Sequence, residues 1–337
     1  MTPAPVSRRS VLAAAAGLVG AGAVSSACAG GAEVSTAPVP DVPHPVVVPR
    51  QAEAVLAAVD AALAKAVVAQ NALLLVPRVT GPSRKEHEAE FRVARAVKRK
   101  PAAVRPVALD QLLLPQAGPW PRWFLAAGTS RGAPTPVLRV LWSPNARTPY
   151  GQWARLSLLP GASLPTVPQP AGAPVLDAAS AQGLVRSPGD VLLDYARLLM
   201  RGFDDPVARR FARDAFATEV TSRLVQDRKG AGRKDVATVT SRQRRGRDAT
   251  LALRTGDGGA LVIGTLEQIY EVTVRRGKGS VTFDDRELAA LFGARTIKER
   301  LTRVSLQTLA FHVPSAATGG QVRLLAASKA DVRASGR

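Results

Sequence analysis

The chain has 337 residues, with 46 Lys plus Arg against 26 Asp plus Glu and a single cysteine, Cys28. One cysteine excludes an internal disulfide framework and any zinc site built on several thiolates. The formal net charge of +20 favours anionic surfaces such as lipid headgroups, wall polymers or acidic proteins.

The chain opens on Ser7, Arg8, Arg9 and Ser10, followed by an apolar run, Val11 to Val24. That run is shorter than the roughly 20 residues a membrane span needs, so it reads as the core of an export signal. Ser25, Ser26 and Ala27 then lead to Cys28. This pattern resembles bacterial lipoprotein signals, departing from them at Ser25, where leucine is usual. The Arg8, Arg9 pair resembles twin-arginine export signals. The resemblance implies that residues 1–27 are removed and that Cys28 becomes a diacylglyceryl-modified N-terminus. Two acyl chains, at about 0.8 kcal/mol per buried CH₂, hold a protein on a membrane where one does not. The expected site is the extracytoplasmic face of the cell membrane, and nucleic acid is not an expected partner. Residues 28–50 carry Pro38, Pro40, Pro43, Pro45 and Pro49, the mark of an extended tether.

A first α+β module is expected over 51–160. Gln51 to Gln70 spaces Val55, Leu56, Val59, Leu63, Ala66 and Val67 at helical period. Strands are expected at 72–79, 88–97, 104–114, 122–127, 137–142 and 152–159. Turn chemistry separates most of them, as at Gly81, Pro82 and Ser83. Residues 161–186, rich in proline and glycine over 160–174, read as a linker.

The second module is expected over 187–332. Ser187, Pro188 and Asp190 start a helix that Gly202 stops. Asp205 and Pro206 repeat the device, with Val207, Phe211, Phe216, Val220 and Leu224 as one looser stripe. Strands follow at 236–240 and 249–254, then a turn at Gly256 to Gly259. The long strand 260–274 changes its apolar face near 265–269, which predicts a bulge or a strong bend. Asp284 is placed to cap a short helix ending at Phe292, and strands at 303–313 and 321–329 finish the chain.

Each half thus predicts helix first and curved antiparallel sheet second. The pattern resembles the cystatin-like and NTF2-like folds, the second half more the NTF2-like one. The mature chain also resembles a family of uncharacterised actinobacterial lipoproteins assigned to a domain of unknown function. Gln51 to Glu53, Val79 to Pro82, Trp120 to Arg122, Leu158 to Gly161 with Leu164 and Pro165, and Asp257 to Ala260 carry that resemblance. It implies no catalytic residues. The composition, dominated by Ala, Val, Leu, Arg, Gly and Pro, also looks actinobacterial.

Few residues carry chemistry. Glu86, His87, Glu88 and Glu90 are the most ligand-like group. On a strand the three glutamates would share a face with His87 opposite, so no metal site is expected. His312, beside Phe311 and Val313, is a candidate general base or a hydrogen-bonded strand histidine. Trp120 and Trp123, three apart, would point to opposite faces of a strand. The densest basic tract, Arg223 to Arg247, is expected to be a solvated loop around Gly230 and Gly232. Within it Arg242, Arg244, Arg245 and Arg247 are the candidate anion contacts. The leading expectation is a non-enzymatic, membrane-anchored envelope lipoprotein that binds a protein partner or an anionic envelope component, with no cofactor. The alternatives are an enzyme using His312 or a carboxylate as base, and a carrier of an apolar, lipid-like ligand.

Overall fold

The first helix, α1 (Pro49–Ala69), begins with proline in its first turn and buries Leu56, Val59, Leu63, Ala66 and Val67 along one side. Here the helical period and the fold agree. A 3-10 turn follows at Ala72–Leu75, opened by the Asn71 side chain, which accepts from the Leu73 N–H at 2.9 Å. The second helix, α2, spans Gly81–Ala96. The turn and α2 replace the strands expected at 72–79 and 88–97. Proline lacks an N–H and has its φ preset, so Pro82 starts α2 rather than ending an element. Ala89 and Val93, four apart, are buried, as are Phe91 and Ala94, three apart.

The computed structural model describes residues 42–130 and 132–337, without the side chains of 232–234. After α2 come β1 (Val107–Leu113), β2 (Arg122–Ser130), β3 (Ala133–Ser143) and β4 (Gly151–Leu158), paired antiparallel in sequence order. Next is α3 (Pro188–Arg201), where Ser187 Oγ accepts from the Asp190 N–H at 3.2 Å and Gly202 ends the helix. The stripe from 207 to 224 divides into a 3-10 turn, Pro206–Arg210, and α4 (Ala215–Lys234). Helix α4 runs through Gly230 and Gly232, so the loop expected there is helical.

The remaining elements are β5 (Ala237–Arg245), β6 (Leu251–Arg254), β7 (Ala260–Val274), β8 (Val281–Thr282), α5 (Arg286–Phe292), β9 (Thr296–Ile297), β10 (Arg300–Val313) and β11 (Arg323–Gly336). Asp285, not Asp284, caps α5. Strand β7 pairs with β10 without a register break, which removes the bulge expected at 265–269. Its apolar pattern changes because its partner on the other edge changes. It meets β6 at its first end and β5 over the rest.

Nine strands form one sheet in the order β1-β2-β3-β4-β11-β10-β7-β5, with β6 also on β7. The strands of both expected modules therefore share a sheet, and Val42–Arg337 is one compact unit. The sheet passes between halves at β4 and β11, where only Leu158 with Ala326 and Ser157 with Ala327 pair. A shared core joins the two halves. Leu125, Leu138 and Leu156 from the first half cluster with Leu253, Ile263 and Leu325 from the second. Each half-sheet is apolar on two faces, so exposing either would return a large apolar area to water. The opposite face of the first half is covered by α1, through Val59 and Leu63 on Phe124 and Leu141. That of the second is covered by α3, through Leu192 and Tyr195 near Val262 and Phe311. The layering is helix, sheet, sheet, helix, and the fold class is α+β. The stretch 161–186 is tied in rather than free, with bridges from Ala173 to Pro115, Val175 to Leu253 and Leu184 to Ser315.

Candidate functional site

Beyond their two-residue contact β4 and β11 diverge, and α2 packs against both strands. Two open clefts flank α2, and His87 and Glu90 line both. The first encloses about 500 Å³ and is lined by Glu86, His87 and Glu90 of α2, Asp285 and Glu287 at α5, Arg303 of β10, and Lys329 and Asp331 of β11. Because Gly81–Ala96 is helical, Glu86 and Glu90, four apart, lie on one side. Glu88 is held elsewhere by Arg84 at 2.6 Å. The strand geometry that sent His87 away from the carboxylates does not apply.

Burial pushes the Glu86 carboxyl up to about 7, against a hydrogen bond from Ser328 Oγ to Glu86 Oε1 at 3.1 Å. Burial holds His87 below its ordinary value, with the Arg155 charge acting in the same direction and Glu90 opposing both. Desolvation also lowers Lys329, followed by repulsion from Arg303. Arg303 is fixed from two sides: it lies 3.5 Å from Asp331 and 4.5 Å over the Tyr270 ring. Asp331 also accepts from the Ser305 hydroxyl. Tyr270 donates to Asp227 of α4 at 2.9 Å. At the rim, Arg99 bridges Glu90 at 2.7 Å and Glu287 at 3.0 Å, linking the end of α2 to α5. The cleft thus offers a carboxyl poised to change charge near neutrality, an imidazole that burial keeps from protonation, the fixed cation Arg303 and the partly desolvated Lys329. It suits a polar ligand carrying both signs of charge.

The second cleft encloses about 400 Å³ beneath α2 on the side of the first half. Arg139 there is 2% exposed. It pairs with Asp60 of α1 at 2.8 Å and donates from Nε to Gln152 at 2.9 Å. Gln152 donates in turn to Ser83 Oγ of α2 at 2.9 Å. Arg155 faces Arg139 across the strands, and burial, then that like charge, lowers it. Arg139, Arg155, Arg303, Lys329 and Asp331 were not singled out by the sequence. Arg139 and Arg155 sit singly between apolar strand residues, and Arg303, Lys329 and Asp331 each sit beside a small or polar one, where alternation reads each as a solvated face. The usable signal was an arginine with leucine or valine on both sides, as in Leu138, Arg139, Val140.

The other candidates lie elsewhere. Arg8, Arg9 and Cys28 are outside the described residues. Arg242 pairs with Glu271 at 3.0 Å and Arg244 with Glu267 at 2.5 Å, both carboxylates on β7. Arg245 donates to Thr250 at 3.0 Å, and Arg247 is exposed. Two of the four expected anion contacts are therefore already occupied. His312 is 5% exposed, its Nε2 lies 2.9 Å from Asp257 Oδ2, and it lines neither cleft. Asp257 also accepts from the Thr255 hydroxyl and the Gly259 N–H, so the pair braces the β6–β7 turn. A Cβ at Gly259 would come within 2.9 Å of His312 Nε2, which explains glycine there. Trp123 is buried, whereas Trp120 is half-buried with Arg122 stacked 4.8 Å over its ring. Among the described residues, no group of three or more His, Cys, Asp or Glu side chains is placed to hold a metal. No helix among them is long and apolar enough to cross a membrane.

No curated protein and no solved structure matches the chain, so the cystatin-like and NTF2-like comparison is one of pattern only. Residues 43–336 match a domain of unknown function, DUF8094, and the chain belongs to that family.

Proposed function

We propose that this protein is a non-enzymatic lipoprotein of the cell envelope, exported by the Arg8, Arg9 signal and anchored through Cys28. It binds a polar ligand or partner segment of mixed charge beside α2. The observation that carries the binding reading is the pair of clefts sharing His87 and Glu90. The first sets Glu86 and Asp285 opposite Arg303 and Lys329. A bipolar lining rewards a bipolar ligand through charge-assisted hydrogen bonds. The apolar-carrier alternative draws no support from this lining. Chemistry at His312 draws little support, because Nε2 is engaged by Asp257 and Nδ1 is buried.

Two experiments test the reading. Membrane fractionation with a high-salt wash, which screens peripheral charge contacts, should find the parent bound and Cys28→Ser released or unprocessed. Equal, processed membrane binding by both would remove the anchor. For the site, short zwitterionic peptides containing lysine serve as probes in NMR titrations. The expected result is saturable shifts at His87, Ser328 and Leu291 that Glu86→Gln with Lys329→Gln abolishes. Saturable shifts confined to other surfaces would remove the clefts from the function.

A further inference from the structure

Four apolar side chains stand in water at one corner of the first half. Val68 is 88% exposed, Leu73 77%, Val76 50% and Leu74 43%. Val68 lies in the last turn of α1, and the others lie in and just after the 3-10 turn that follows. Structural duty falls to their neighbours, since Val67 and Leu75 enter the core. Polar residues at the four exposed positions would leave that core unchanged, so the core does not explain them.

Cations border this corner. Arg95 donates to the Gln70 carbonyl oxygen at 2.9 Å, which seats the basic end of α2 beside the end of α1. Arg92 and Lys98 are exposed on that end of α2, and Lys65 is exposed on α1. Among the described residues, Lys65, Arg92, Arg95 and Lys98 form no ion pair, whereas Arg242 and Arg244 on β5 are neutralised by Glu271 and Glu267. An apolar projection flanked by unneutralised cations is complementary to a bilayer of anionic lipid. The side chains enter the boundary of the acyl region while the cations meet phosphates. We propose that this corner, centred on Val68 and Leu73, docks on an anionic lipid surface. The contact is separate from the α2 clefts and does not depend on lipidation of Cys28.

The compact unit Val42–Arg337, carrying no lipid, is the protein to use, in co-sedimentation with vesicles of phosphatidylcholine alone or mixed with phosphatidylglycerol. The parent should bind the mixed vesicles and not the neutral ones. Val68→Ser with Leu73→Ser should weaken binding at least about tenfold, since each side chain loses its transfer from water. Arg92→Gln, Arg95→Gln and Lys98→Gln together should weaken it by about a hundredfold at low salt, and by less as salt screens the charges. Arg242→Gln with Arg244→Gln should bind like the parent. Equal binding by the parent and both corner variants would overturn the proposal, as would binding lost only in the Arg242, Arg244 variant. Sedimentation without vesicles that Leu73→Ser abolishes would assign the corner to self-association and overturn it equally. Unchanged circular dichroism in each variant keeps these outcomes distinct from misfolding.

Discussion

The two halves of the sheet close their outer faces with different chemistry. Under α3 the second half is sealed by aromatic rings, with Tyr195 edge-on to Phe311 at 4.9 Å and to Phe211 at 5.2 Å. Under α1 and α2 the first half buries an arginine, Arg139, held by Asp60 and Gln152. Ring packing stabilises wherever it fits, because it needs only area and shape. A buried guanidinium is neutral at best for stability unless every partner stays in place. The second half buries polar side chains too, Gln243, Gln268 and Gln307 among them, but its face under α3 is closed by rings. The buried charge lies in the first half, and the clefts flank the helix that belongs to it.

The comparison can be broken at its strongest point first. Phe311→Ala removes a fully buried ring from the aromatic cluster and should cost about 4 kcal/mol, read from urea unfolding. A loss near that of a surface change would mean the second half is not sealed as described. Asp60→Ala leaves Arg139 without its carboxylate and should cost about 3 kcal/mol. Asp60→Leu with Arg139→Met should recover most of that loss. Failure to recover would show that the ion pair itself, rather than the filled volume, stabilises the first half.

Glu86 sharpens the contrast through pH. Its folded value, about 7, is raised above the ordinary 4.5. The folded state therefore holds the proton more tightly than the unfolded chain between those two values. Its contribution to stability is fully present below pH 4.5 and is lost as pH rises through about 7. Glu86→Gln mimics the protonated carboxyl. It should match the parent in thermal unfolding at acid pH and exceed it by about 3 kcal/mol above neutrality. A variant less stable than the parent at alkaline pH would contradict the burial argument. The smallest effect belongs to the basic strand. Arg242→Gln and Arg244→Gln remove exposed pairs and should each change stability by less than about 0.5 kcal/mol, measured by the same melts.

Much of the architecture was legible, and the failures have specific causes. Helices α1 and α3 were readable from helical period and from Ser187, Pro188 and Gly202, and strands β1 to β4 from short apolar stretches between turns. Helix α2 was missed because Gly81 and Pro82 look like a turn and because its polar residues dilute the apolar stripe. That error hid the site, since Glu86, His87 and Glu90 come together only on a helix. The single sheet was not legible either. Two residue pairs between β4 and β11 leave no local mark, and the shared core joins Leu138 to Leu253 across more than a hundred positions. The exposed Leu73, Leu74 and Val76 were obscured by their composition, which reads as a strand, while Val68 fell inside the expected helix, one place past its apolar stripe.

The single sheet makes both halves one cooperative unit, and the notch that α2 occupies exists only when both are folded. All four tryptophans, Trp120, Trp123, Trp142 and Trp153, lie in the first half, so their fluorescence reports that half. Far-ultraviolet circular dichroism reports both halves. Denaturant unfolding of Val42–Arg337 should give coincident transitions by the two signals. Tryptophan fluorescence changing at one denaturant concentration while a separate part of the dichroism signal changes at another would contradict the account. The halves would then be two independent modules.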